Sequence, residues 1–209
     1  KVFRGFYASG RCFAGTAVCV LLLLCMANTV LVQADTYEDW QRMRDIPRSG
    51  YVANRVGSRI EIDGRLDDAA WRGALWSDRF QDIEGKAKPR PRFDTRVKML
   101  WDRKYLYIGA FLPDPHIWGT LTEHDSVIFY DNDFEVFIDP DADNHEYYEF
   151  EINALNTGWD LFLDKPYKDG GKADNGWEIP GLKTAIHIEG TLNDPTDIDQ
   201  YWSVEIAIP

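Results

Sequence analysis

From Ser58 to Pro209 the chain is a series of short runs in which apolar and polar residues alternate, separated by clusters of Asp, Asn, Gly and Pro. Alternation with a period of two is the mark of a half-buried strand. Repeated at this spacing between turn clusters, it predicts an all-β fold, an antiparallel β-sandwich of jelly-roll-like kind. The expected strands are 58–62, 95–101, 105–112, 133–139, 146–153, 158–163, 182–188 and 201–208. Asp102-Arg103-Lys104 is a hairpin connection between two of them. Only Asp67 to Ala74 reads as a helical turn, with Asp67 or Asp68 as its cap.

The same period assigns faces. Val97, Met99 and Trp101 share a side, as do Leu106, Ile108 and Ala110. Phe134, Val136 and Ile138 point one way, and Asp133 and Glu135 the other. In the following strand Tyr148, Phe150 and Ile152 oppose Tyr147, Glu149, Glu151 and Asn153. One face is therefore apolar, while its reverse collects carboxylates, an amide and an aromatic ring. The plainest reading of that reverse face is a solvated outer surface. Trp71, Trp101 and Trp202 fall in the apolar phase and are expected in the core. Trp118, Trp159 and Trp177 lie near turns or strand ends and are expected as exposed stacking surfaces. The run Lys168 to Trp177 is Gly-rich and polar. It reads either as a mobile loop carrying an aromatic or as a connection whose Trp packs back on the sheet.

Residues 1–34 break the pattern. Lys1, Arg4 and Arg11 precede an apolar stretch from Ala17 to Leu24, and Val32-Gln33-Ala34 is a small-residue cleavage pattern. This is the layout of a secretory signal peptide, cleaved after Ala34 or, since Cys12 to Ala34 is an uncharged run long enough to span a bilayer, retained as an anchor; the expected location is secreted or periplasmic. Residues 35–57 read as a polar lead-in. All three cysteines lie within the first 34 residues, so a processed chain has no disulfide or thiolate site. The whole chain carries a formal charge of −12, and the three basic residues of the signal offset a further part of the acidity. With no basic cluster to meet phosphates, nucleic acid is excluded as a partner, as is an anionic membrane surface.

Five stretches in order are more specific. They are Ile62-Asp63-Gly64-Arg65-Leu66-Asp67-Asp68-Ala69-Ala70-Trp71, Val97 to Ile108, Asp133-Phe134-Glu135-Val136-Phe137-Ile138-Asp139-Pro140, Tyr148 to Asn153, and Trp202 to Pro209. Together they resemble carbohydrate-binding module family 9, in the form found in secreted bacterial polysaccharide-degrading systems. The resemblance implies a sandwich that binds mono-, oligo- or polysaccharides without cleaving them, beside glycoside hydrolases. It also implies a sugar held between aromatic rings with charged and amide groups at its hydroxyls, and structural calcium. Carried over position by position, Glu135 matches the glutamate of the family's E-[VI]-F-I-D run and Asn153 the asparagine closing the F-x-[IV]-N strand. Glu151 stands where the family has arginine, a charge reversal inside the site. The first clamping ring corresponds to Phe129 or Tyr130, with Trp118 further upstream. The second falls beyond Pro209, so the resemblance implies a domain that continues past the last residue.

Other constellations are less specific. Asp139, Asp141, Asp143 and Asn144 put four oxygen-bearing side chains into one turn, either a calcium site or an ordinary acidic hairpin turn. Position 6 of that run is Asn144 and position 12 is Phe150, which rejects an EF-hand. Glu135, Glu149 and Glu151 contain candidate glycosidase pairs, the enzymatic alternative to binding. His116, His124, His145 and His187 form no zinc motif by spacing, and His124-Asp125-Ser126 holds triad residue types that extended chain points apart. A haem-binding alternative rests on Met99, whose phase is that of core packing. The sequence thus predicts an exported, non-catalytic carbohydrate-binding module.

Overall fold

The computed structural model describes residues 50–209. The expected signal peptide and most of the lead-in lie outside the described residues.

Two sheets form the sandwich. One has the order β1-β2-β3-β9-β8 and the other β4-β5-β6-β7. Their members are β1 (Asn54–Arg55), β2 (Arg96–Trp101), β3 (Leu106–Pro113), β4 (Asp133–Ile138), β5 (Tyr147–Asn153), β6 (Gly158–Leu163), β7 (Ala173–Asp174), β8 (Lys183–Glu189) and β9 (Tyr201–Ile208). Every pairing is antiparallel except β1 with β2. Seven of these strands fall where the alternation puts them. The first does not: residues 58–62 form no strand. The two-residue β1 lies earlier, in the expected lead-in, where Val56 N–H donates to Trp101 O at 2.8 Å. The strand belongs to a compact unit that spans Tyr51 to Pro209.

The principal core fills the space between the sheets. Ile108, Ala110 and Leu112 of β3 and Trp202, Val204, Ile206 and Ile208 of β9 meet Phe134, Phe150 and Ile152 of the smaller sheet. These are the positions that the period-two reading sends inward. Met99 packs against this core, as its phase requires. Trp101 is a correction. It shares the phase of Val97 but sits at the end of β2, 43% exposed, with its indole N–H donating to Ala53 O at 3.1 Å. Phase fixes a side chain's direction, and at a strand end no opposite sheet remains to cover it.

The outer face of the larger sheet is buried as well. Residues 56–74 fold over it, placing Ile60 and Trp71 against Leu100, Tyr107 and Ala207. Glu205 lies beneath them, fully buried. It accepts Asp63 N–H at 2.8 Å, Gly64 N–H at 2.9 Å and the Trp71 indole N–H at 2.6 Å. Burial pushes its carboxyl up to about 7, with the three donors opposing that rise. Gly64 has φ +85° and approaches β8 so closely that a Cβ would lie 2.4 Å from Ile186 C. The first and last of the five motif stretches therefore bind each other: the Asp63-Gly64 turn and Trp71 supply the donors, and the Trp202–Pro209 strand supplies the acceptor. The helical turn appears as α1 (Ala69–Gly73). Asp68 occupies its N-cap position, yet its carboxylate accepts Glu61 N–H at 2.8 Å instead of capping the helix.

Candidate functional site

The outer face of the β4-β5-β6 sheet carries the candidate side chains, positioned by register. Asp133 pairs with Asn153, Glu135 with Glu151 and Phe137 with Glu149, while Glu149 and Glu151 pair across β5–β6 with Leu161 and Trp159. This face is solvated along β4, where Glu135 and Phe137 are exposed, but covered along β5 and β6. A segment reaching a single 3-10 turn at Ile128–Tyr130 folds over it, and Ile128, Trp159, Leu161 and Leu163 form a third apolar cluster there. Glu149, Glu151 and Asn153 are consequently buried.

Asn153 anchors the covering segment. Its amide NH2 donates to Leu121 O and to Asp131 Oδ2, both at 2.9 Å, and its Oδ1 accepts Leu155 N–H and Thr157 N–H, both at 3.0 Å. Asp131 in turn accepts Thr120 N–H at 2.7 Å, the Thr120 hydroxyl at 2.7 Å and Leu121 N–H at 2.9 Å. Burial opposes ionisation of Asp131, but these donors hold it below the usual carboxylate range. The clamp delivers Phe129 and Tyr130 to the surface above β5 and β6. Phe129 is 53% exposed, its ring 5.0 Å from that of Tyr130 and 6.1 Å from that of Trp159. Phe129 N–H donates to Glu151 Oε2 at 3.0 Å.

Beside this aromatic step lies a group of carboxyls. One oxygen each from Asp133, Glu135 and Glu151 come within 4.8 Å of one another. Glu151 is hydrogen-bonded to Glu149, which also accepts the Tyr167 hydroxyl at 3.3 Å. Burial, followed by the charges of Asp133, Glu135 and Glu149, pushes Glu151 up to about 8. Burial and then Glu135 push Asp133 up to about 7, and burial raises Glu135 and Glu149. Glu151 is thus held protonated near neutral pH as a donor to Glu149, while Glu135 remains the exposed member. Two buried glutamates sharing a proton do not flank an open cleft, as a glycosidase pair must.

The other expected site residues are dispersed. Trp159 is buried beneath Phe129 rather than exposed, because the 3-10 turn covers its phase of the sheet. Trp177 is half-buried and stacks on Tyr148, ring centroids 4.6 Å apart, so the Gly-rich connection packs its aromatic back onto the sheet. Trp118 is exposed beside Gly119, whose backbone N–H and O both bond the Asn193 side chain, at 3.0 and 2.8 Å. In the acidic turn Asp139, Asp141 and Asp143 bring oxygens within 4.8 Å of one another. Asp139 accepts Ala142 N–H at 2.9 Å and, through its other oxygen, Asn144 N–H at 2.8 Å, so it shapes the turn itself. Sequence reasoning missed Phe137, 54% exposed on the same face as Glu135. Its polar-phase position between Glu135 and Asp139 was the available signal.

Three comparisons bear on this arrangement. Endo-1,4-beta-xylanase A of Thermotoga maritima is 31% identical over 104 residues, which is 46% of this chain but only 9% of that enzyme. A protein of Bacteroides uniformis assigned to carbohydrate binding shares the fold. Its crystal structure aligns at a TM-score of 0.56 and 14% identity, covering 78% of this chain and 73% of that one. A family 9 carbohydrate-binding module of Caldicellulosiruptor kristjanssonii, solved with cellotriose, aligns at a TM-score of 0.48 and 21% identity over 76% of this chain and 66% of that one. Residues 62–197, well over half of the sequence, match the profile of the carbohydrate family 9 binding domain-like family, and the chain belongs to that family.

Proposed function

We propose that the domain binds carbohydrate non-covalently on the outer face of the β4-β5-β6 sheet, with Phe129 and Tyr130 as the stacking surface and Glu135 as the hydrogen-bonding group. One observation carries this reading. The buried Glu151 carboxyl holds the Phe129 backbone at 3.0 Å and lies within 4.8 Å of Glu135, fixing an exposed ring beside an exposed carboxylate. A sugar offers C–H faces to a flat ring and hydroxyls to an adjacent acceptor, so this pair matches both halves of its surface. Glu151 and Asn153 support the platform from below instead of meeting the ligand.

In the same reading the chain is exported through a cleaved signal at residues 1–34 and works beside glycoside hydrolases, which the xylanase relative supports. The Asp139 turn serves as an accessory calcium site through Asp141 and Asp143, whose oxygens converge with that of Asp139.

Titration of the full chain with soluble oligosaccharides and insoluble polysaccharides, read by tryptophan fluorescence and pull-down, tests the binding surface. Phe129→Ala and Glu135→Gln should each weaken binding at least about tenfold, the loss of one stacking ring or one charged hydrogen bond. Trp101→Ala, on the other sheet, should leave it unchanged. Affinity that survives both substitutions would sink this placement of the site.

A further inference from the structure

Away from the carbohydrate face, four ligand-type side chains from three segments converge at the edge of β6. His124 and Asp125 come from the covering segment, Asp160 from β6, and Glu178 from the connection before β8; one ligand atom of each lies within 4.8 Å of all the others. Asp160 is the anomaly. Its register partner is Phe150, so it occupies the inward, core-facing phase of the sheet, and its side chain is 3% exposed. One carboxylate oxygen accepts Ile179 N–H, while Oδ1 has no hydrogen-bond partner and points into the cluster. Asp125 Oδ1 is likewise buried without a partner, on a residue with φ +62°. Leaving a buried carboxylate oxygen unpaired is unfavourable, the more so when it is charged. Among the described residues no lysine or arginine pairs with any of these carboxylates.

His124 is oriented in the way a metal-ligating imidazole is oriented. Its Nδ1 lies 2.9 Å from Gly158 O, which fixes a proton on Nδ1 and aims Nε2 at the carboxylates, where Glu178 accepts the Nε2 proton that a divalent ion would displace. Nε2 is 3.2 Å from Glu178 Oε2, 3.3 Å from Asp125 Oδ1 and 3.6 Å from Asp160 Oδ1. Donors bound at about 2.0–2.2 Å around a tetrahedral ion stand about 3.3–3.6 Å from one another, close to the spacing between Nε2 and each of the three carboxylate oxygens. An imidazole nitrogen with three carboxylates selects a first-row divalent ion such as zinc over calcium or magnesium, which take oxygen donors.

We propose that His124, Asp125, Asp160 and Glu178 form a divalent transition-metal site, zinc being the representative ion. The site ties the covering segment, β6 and the Glu178 connection together and neutralises the buried Asp160. It is separate from the Asp139 turn, whose donors are oxygens alone.

The test is calorimetric titration of zinc into the full chain after chelator treatment, with melting curves recorded with and without metal. One equivalent should bind and raise the melting temperature. His124→Ala, Asp160→Asn and the surface substitution Glu178→Gln should each weaken binding at least tenfold, whereas His145→Ala, in the exposed acidic turn, should not. Glu178→Gln keeps the test valid if Asp160→Asn fails to fold. Absence of stoichiometric binding would overturn the proposal, as would zinc binding that depends on His145 instead of His124. Calcium binding equal to that of zinc and unaffected by His124→Ala would overturn the choice of ion class.

Discussion

Asn153 shows how much one buried amide can hold in place. It donates to Leu121 and Asp131 and accepts from Leu155 and Thr157, so two bonds reach the segment that carries Phe129 and two close the β5–β6 connection. Asn153→Ala removes all four and leaves buried backbone groups unpaired. It should cost about 3–5 kcal/mol, measured as a shift in the urea midpoint. The same substitution should weaken sugar binding in protein that remains folded, because the Phe129 platform loses its anchor. Thr157→Val, which loses the single hydroxyl bond to Leu121 O, should cost about 1 kcal/mol in the same assay. The sequence marks Asn153 by its place at the end of a strand, but its partners Asp131 and Leu121, 22 and 32 positions upstream, are invisible there. The conversion of Trp159 from expected platform to buried support has the same origin.

The β4-β5-β6 face is an element in which burial and charge conflict. Glu151, pushed up to about 8 first by burial and then by its acidic neighbours, is a neutral acid donating to Glu149. Glutamine reproduces that donor and keeps an oxygen for Phe129 N–H. Glu151→Gln should therefore change the melting temperature little near pH 5 and raise it by several degrees at pH 8.5. Equal destabilisation at both pH values would show that Glu151 is ionised throughout. At this scale the sequence was informative about strands and uninformative about cover. Period two places Glu149, Glu151 and Asn153 on one side, and only the Ile128–Tyr130 turn decides that this side is buried.

Over the whole molecule the raised carboxyls act in one direction. Asp133 and Glu205 are pushed to about 7 and Glu151 to about 8, above their unfolded values of 3.8 for Asp and 4.5 for Glu. The folded state therefore binds more protons than the unfolded state across this range. The resulting stability is fully present below the unfolded values and is lost as pH rises through 7 to 8. Asp131, Asp139 and Asp164 are lowered and act oppositely, losing their contribution as pH falls through the acid range. Thermal melts should accordingly show a maximum near pH 5 and a fall of several degrees by pH 8. A melting temperature that climbs from pH 5 to 8 would contradict the protonated state assigned to these groups. The formal charge of −12 adds to the effect, since titration of acidic groups relieves self-repulsion.

The sequence by itself determined what local periodicity and ordered motifs can carry. Alternation located seven strands and their inward residues, because a strand's side chains must alternate whatever surrounds them. The five stretches together identified the family, although each is short. Tertiary structure alone decided what covers each face, because cover comes from chain far away in sequence. Residues 56–74 close over the larger sheet and seat Trp71 on Glu205, 134 positions away. Another segment closes over the smaller sheet and turns an expected solvated face into a platform. His124 lies 36 positions before Asp160 and 54 before Glu178, so no spacing rule could join them. The one local sign was Asp160 itself, a carboxylate in the inward phase of β6 opposite Phe150.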